Sequence, residues 1–186
     1  MILFLLGLII FFGTHVFTSF ARGGREGALS KLGEGGYKGL YSVIALIGFV
    51  LIIRGWPSAD PTVLYTSPYW LRHVTYLLTL IAFVLLAAAY LPAGQIAARA
   101  KHPMLAGVKV WAFSHLLVNG DVRSIILFGS FLGYAVLARI AAKRRGAPTR
   151  AAGSVMNDLV AVGAGAVAWA GVYFYLHPII AGVALR

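Results

Sequence analysis

Residues 2–21, ILFLLGLIIFFGTHVFTSFA, form a run of twenty residues whose only ionisable side chain is His15. Twenty residues at 1.5 Å each cover the ~30 Å of a bilayer's hydrocarbon core, so this run predicts a transmembrane helix. It lacks the basic leader and small-residue cleavage site of a signal peptide, and Arg22 and Arg25 follow it instead. We therefore read it as a retained span. Five further apolar runs follow, at about residues 39–55, 72–91, 103–119, 122–142 and 155–177. None alternates with a period of two, which excludes barrel strands. The expected fold is all-α: a polytopic transmembrane helical bundle of about six spans, with residues 1–186 forming a single integral membrane domain.

Composition agrees with this reading. Apolar residues make up 60% of the chain, charged residues only 11%, and mean hydropathy is +0.86. The net charge of +11 is unevenly distributed. With the N-terminus outside, Arg22, Arg25, Lys31, Lys38, Arg99, Lys101, Lys109, Arg139, Lys143, Arg144, Arg145 and Arg150 all fall on inner loops or helix ends, twelve of the sixteen basic residues. Cytoplasmic loops carry such an excess, so both termini are expected outside. Anionic membrane lipid suffices as partner for these charges, and no basic patch interleaved with exposed aromatics points to nucleic acid. The chain has no cysteine, so disulfides and thiolate ligands are excluded.

Between the spans, the glycine-rich segment 23–39 (GGREGALSKLGEGGYKG) reads as a mobile inner loop. The outer connection holds Trp56, Pro57, Pro61, Tyr65, Pro68, Tyr69 and Trp70, residues suited to the headgroup region. Residues 139–150 form the best linker. Gly163, Gly165 and Gly171 predict close packing of the last helix. The fourth run is short: Pro103 starts it and Asn119-Gly120 ends it, with Asp121 as N-cap of the next helix. Its turn is expected to sit beneath the outer surface against protein, and a re-entrant hairpin is the competing topology.

Ionisable groups at membrane depth are costly and mark ligand, proton or metal sites. His15 shares a helix face with Phe11, Ser19 and Arg22. Taken alone, it is more simply a packed imidazole bonded to a backbone carbonyl. His115 lies in WAFSHLLVNGD (residues 111–121), a polar concentration unusual for a span. Two buried imidazoles on separate helices are what haem iron requires. His102, beside Lys101 and Pro103, is a rival partner for His15. On ideal helices His15 lies ~9 Å and His115 ~18 Å from the inner edge, which favours His102 by depth. His73 and His177 read as outer interfacial residues, and Asp158 as serving the N-terminal dipole of the last helix. No HExxH, P-loop or GxGxxG motif occurs, so hydrolytic zinc and nucleotide chemistry lack support.

The run HPMLAGVKVWAFSHLLVNGD (residues 102–121), with His15, Ser19, Arg22 and Leu127-Phe128-Gly129, resembles the signature of the NnrU family over nearly the whole chain. The resemblance implies a multi-span inner-membrane protein associated with denitrification and nitric oxide metabolism, with respiratory or denitrification membrane proteins as partners. The family also includes the 15-cis-zeta-carotene isomerase, which carries haem b. Carried over by motif, its histidine ligands correspond to His15 and His115, with His102, Lys101 or Arg99 near the haem propionates. Its alternative cysteine ligand falls near Ala112, so ligand switching by sulfur is lost here. The resemblance thus implies haem b held by His15 and His115, open to a small gas or an apolar ligand. Redox function, polyene isomerisation and a non-catalytic assembly role remain as three readings, and enzymatic activity stays undecided among them.

Overall fold

In the computed structural model, which describes residues 1–182, helices account for every long element. They are α1 (Ile2–Phe20), α2 (Arg22–Gly55), α3 (Leu71–Tyr90), α4 (Gln95–Ala100), α5 (Pro103–Leu116), α6 (Val122–Arg144), α7 (Val155–Gly171) and α8 (His177–Ala181). A wider π-helical turn, Val172–Leu176, joins α7 to α8 and lets the helix run on to Pro178. Among the described residues the only β pairing is a single bridge between Val63 and Asp121.

The long helices pack in the order α2, α1, α6, α5, α3, α7. Direction follows from end-to-end contacts. The Met1 ammonium donates to the Ser58 carbonyl (2.7 Å), so α1 starts beside the end of α2. At the far end of α1 the Ser19 carbonyl accepts from Arg145, which caps the end of α6, and the Ser19 hydroxyl meets that of Tyr134 (3.1 Å). Helix α5 begins where α3 ends (Tyr90 hydroxyl to Met104 sulfur, 3.5 Å) and finishes where α3 begins (Thr75 hydroxyl to Ser114 carbonyl, 3.1 Å). It therefore traverses the bundle and is not a re-entrant hairpin. The chain passes the bundle six times, and the twelve basic residues gathered above lie towards one end, here the basic end.

Among the described residues, five helical stretches are long and apolar enough to cross a membrane: Ile2–Phe20, Arg22–Ser58, Leu71–Tyr90, Val122–Arg144 and Val155–Ala181. In their most apolar stretches only 11–28% of residues are buried, so leucine, isoleucine and valine side chains face outward. That surface is stable only in lipid. Helix α5, with 14 residues and ~21 Å of rise, falls short of a span by length and is enclosed by α3 and α6.

Lipid offers no hydrophobic drive for helix association, so close packing of small residues replaces it. Ten of the fifteen buried apolar residues are alanine. At the α1–α2 seam the backbones nearly touch: a methyl group added at Gly48 would lie 2.6 Å from the Phe11 nitrogen, and one at Gly55 2.3 Å from the Phe4 nitrogen. Gly165 meets Val84 of α3 in the same way, whereas Gly163 and Gly171 have open space, contrary to their expected packing role.

Two local expectations are corrected. Segment 23–39 is helical, not a loop: α2 starts at Arg22 and bends at Gly33 (φ +68°). Ala28 and Leu29 tuck inward, Arg25 lies over the Tyr37 ring, and Lys38 pairs with Glu34 one turn away. Asp158 does more than serve its own helix: from the first turn of α7 it also caps a neighbour. It accepts from the Gln95 and Ile96 amides of α4 (3.0 Å each), while Ser154 caps α7. The linker has a structural task too, since Arg150 donates to the Ala88 and Ala89 carbonyls that α3 leaves unpaired at its end.

Candidate functional site

His15 and His115 are held in the same way by different helices. The imidazole of His15 bonds through Nδ1 to the Phe11 carbonyl four residues earlier (2.7 Å). His115 does the same to the Trp111 carbonyl (2.8 Å). A carbonyl only accepts, so Nδ1 carries the proton and Nε2 keeps its lone pair. Neither Nε2 has a hydrogen bond among the described residues. This tautomer, fixed by a backbone carbonyl, is the one a metal-ligating histidine adopts.

Aromatic rings surround both imidazoles. Phe11 lies 4.3 Å from His15, with Tyr41 at 5.3 Å and Tyr134 at 5.5 Å. Phe128 stacks on His115 at 4.5 Å, and Trp111 lies at 5.0 Å. Helix α6 links the two environments through Phe128, Phe131 and Tyr134, which recur every three residues along one face. Phe131 touches Phe11 (5.5 Å), Phe12 (4.9 Å) and Trp111 (5.2 Å), bridging the His15 and His115 helices. The sequence reading passed over this stripe. Its spacing is visible, but aromatic residues three apart are commonplace in an apolar span.

The rings are staggered. His15 lies against Tyr134 and His115 against Phe128, six residues and ~9 Å apart along α6. That is the depth difference expected from the sequence, and Phe131 occupies the interval. Among the described residues no three histidine, aspartate or glutamate side chains gather as a metal site.

The remaining candidates are distributed at the two ends. His102 precedes α5 at the basic end, near Arg139 and Arg145. Partial burial, and then the repulsion of those guanidiniums, hold its pKa below the ordinary imidazole value. The structure gives it no contact with His15. His73 sits between Tyr69 and Tyr76 at the opposite end, as expected of an interfacial residue. His177 opens α8, just past the π-helical turn that follows α7. Asp121 does not orient His115. It caps α6, accepting from the Ser124 amide (3.0 Å) and hydroxyl (2.6 Å), with Arg123 Nε at 3.4 Å.

The turn after α5 is roofed by residues 59–70. The Gly120 carbonyl accepts from the Leu64 amide (2.8 Å), Val122 donates to Thr62 (2.9 Å), and the Tyr65 hydroxyl bonds the Leu116 carbonyl. Gly120 is required, because a methyl group there would lie 1.9 Å from the Tyr65 carbonyl oxygen. At the basic end a groove of about 530 Å³ opens between Thr18, Arg25, Leu29, Tyr37 and Tyr41. It leads to Tyr41, a neighbour of His15.

These features define a multi-pass helical membrane protein with two half-buried imidazoles, each bonded to a backbone carbonyl among aromatic rings. The chain belongs to the NnrU family, whose NnrU protein pattern it matches over residues 3–185. No curated protein and no solved structure matches it.

Proposed function

We propose that this chain is a haem-b-binding inner-membrane protein of nitrogen-oxide metabolism, with His15 and His115 as the iron ligands. The observation that carries the reading is the pair of unbonded Nε2 atoms, each aimed by an identical Nδ1–carbonyl bond. Both imidazoles are half-buried among aromatic rings, and a neutral Nε2 lone pair presented on each of two helices suits a shared ligand. The donors fit haem in chemistry: neutral imidazoles, aromatic walls for a porphyrin, and guanidinium groups at the basic end for propionates. Haem held by these residues would supply electron transfer or a binding site for nitric oxide or an alkene.

The residues themselves do the positioning. Phe11 and Trp111 supply the carbonyls that fix each tautomer, and Phe128 and Tyr134 limit ring rotation. Ala112, fully buried and without sulfur, removes the ligand switch that isomerisation would use, which favours the redox or gas-binding role. The stagger of the rings favours one alternative, an assembly partner whose histidines serve packing alone.

Absorbance spectra of wild type, His15→Ala and His115→Ala, purified after haem-replete growth, separate these readings. A Soret band that is lost or shifted in both variants supports ligation by the pair. Spectra unchanged in both variants overturn the ligand assignment, and a wild-type protein without haem leaves the assembly role.

A further inference from the structure

Helices α1 and α6 part at the basic end, leaving a groove of about 320 Å³. Three guanidiniums line it: Arg22 at the start of α2, and Arg144 and Arg145 at the end of α6. No carboxylate is among its lining residues. Arg145 donates to the Ser19 carbonyl and so ties α6 to the end of α1. Arg22 and Arg144 make no ion pair or hydrogen bond among the described residues. The groove's other wall is apolar and outward-facing, formed by Phe20 (47% exposed), Leu137 (53%) and Ile140 (43%).

Charge at one end and apolar surface running away from it match one ligand chemistry, an anionic headgroup with an acyl chain. We propose that this groove binds an anionic phospholipid, its phosphate between Arg22 and Arg144 and its chain along Leu137 and Ile140. A soluble phosphate would use the guanidiniums and leave the apolar wall bare. The position has a consequence for the histidine site. The bound lipid spans the seam where the Ser19–Tyr134 bond holds α1 to α6, one turn from His15.

The test uses the full chain in neutral detergent, titrated with phosphatidylglycerol or phosphatidylcholine in mixed micelles, or with inorganic phosphate. Bound lipid is counted by native mass spectrometry and the unfolding midpoint is followed in parallel. Wild type should retain phosphatidylglycerol and gain stability from it, with little response to phosphatidylcholine or phosphate. A basic residue near a membrane surface contributes about fivefold to anionic-lipid affinity, so Arg22→Gln with Arg144→Gln should weaken binding roughly thirtyfold. Lys31→Gln with Lys143→Gln removes equal charge from the same end but outside the groove, and should stay within about threefold. Ile140→Ser keeps every charge and should cost about fivefold through the apolar wall alone. Should the arginine pair fail to fold, that variant carries the test. Equal losses in the two charge pairs, an unaffected Ile140→Ser, or a full response to inorganic phosphate would each overturn the proposal.

Discussion

Gly48 and Gly13 are both glycines in the first helical hairpin, and replacing each with alanine separates intrinsic helix preference from close packing. Alanine is favoured over glycine in a helix interior by about 1 kcal/mol. At Gly13 nothing lies within 4 Å of the new methyl group, so Gly13→Ala should be neutral or stabilising by up to that amount. At Gly48 the methyl group would lie 2.6 Å from the Phe11 nitrogen and 2.9 Å from its Cα. Both are backbone atoms, so no side-chain rotation relieves the contact, and α1 must move off α2 by most of an ångström. Overpacking of this kind costs about 1–3 kcal/mol, which outweighs the helix-preference gain. The helix preference is common to both variants, so they should differ by the overpacking cost of about 1–3 kcal/mol, Gly48→Ala being the weaker. Reversible unfolding by increasing sodium dodecyl sulfate in mixed micelles, followed by circular dichroism, measures the difference. Equal stability of Gly48→Ala and Gly13→Ala would refute the close α1–α2 contact. Since Phe11 also carries the carbonyl that orients His15, any haem spectrum should respond to Gly48→Ala and not to Gly13→Ala.

Asp121→Ala removes the α6 cap and the carboxylate beside Arg123, and should cost about 2–4 kcal/mol in the same unfolding assay; a loss below 0.5 kcal/mol would contradict the capping geometry. Asp158→Asn should cost about 1–2 kcal/mol by weakening the bonds to the Gln95 and Ile96 amides, and faster hydrogen exchange at those two amides checks its origin. His102 binds its proton less readily in the folded protein than in the unfolded chain. Stability should thus hold above about pH 6.5 and decline as pH falls through it, and the decline should be shallower in His102→Gln when midpoints are compared between pH 7.5 and 5.5. Trp169→Phe deletes the indole donor to the Thr79 hydroxyl (3.0 Å) and should cost about 1 kcal/mol in wild type but close to nothing in a Thr79→Val background; an equal cost in both would contradict the bond as its source.

The helical architecture was legible because lipid imposes one crude requirement, a long apolar run, and six such runs stand between polar connections. Caps were legible where chemistry is local: Pro103 opens α5, and Asp121 caps α6. What escaped depends on the partner across a seam. Gly7, Gly48 and Gly55 look no different in sequence from Gly163 and Gly171, yet only the first three receive a neighbouring backbone. Asp158 was assigned to its own helix because a carboxylate in a first turn ordinarily belongs there. In the folded chain Gly94 lacks the side chain that would exclude it, for a methyl group there would lie 2.1 Å from the carboxylate oxygen. The helical state of segment 23–39 was hidden by its glycines, since the contacts that order it, such as Arg25 on Tyr37, join residues on either side of a bend.

His15 and His115 were the easiest site residues to find and the hardest to interpret, and the hydrogen-bond pattern of their surroundings now narrows their meaning. Polar groups placed for folding are bonded: Thr75 to Ser114, Asn119 to His115, Ser124 to Asp121, Trp169 to Thr79, and Asn157 to Ala93. Arg123 Nε, the single fully buried side-chain nitrogen or oxygen without a hydrogen bond among the described residues, still has a carboxylate at 3.4 Å. Each of these imidazoles uses only the nitrogen that orients it. The same half-bonded state occurs on α1 and on α5, beside opposite ends of one aromatic stripe on α6. Packing explains the rings and the carbonyl bonds, and the haem reading proposed above would give both Nε2 atoms a use.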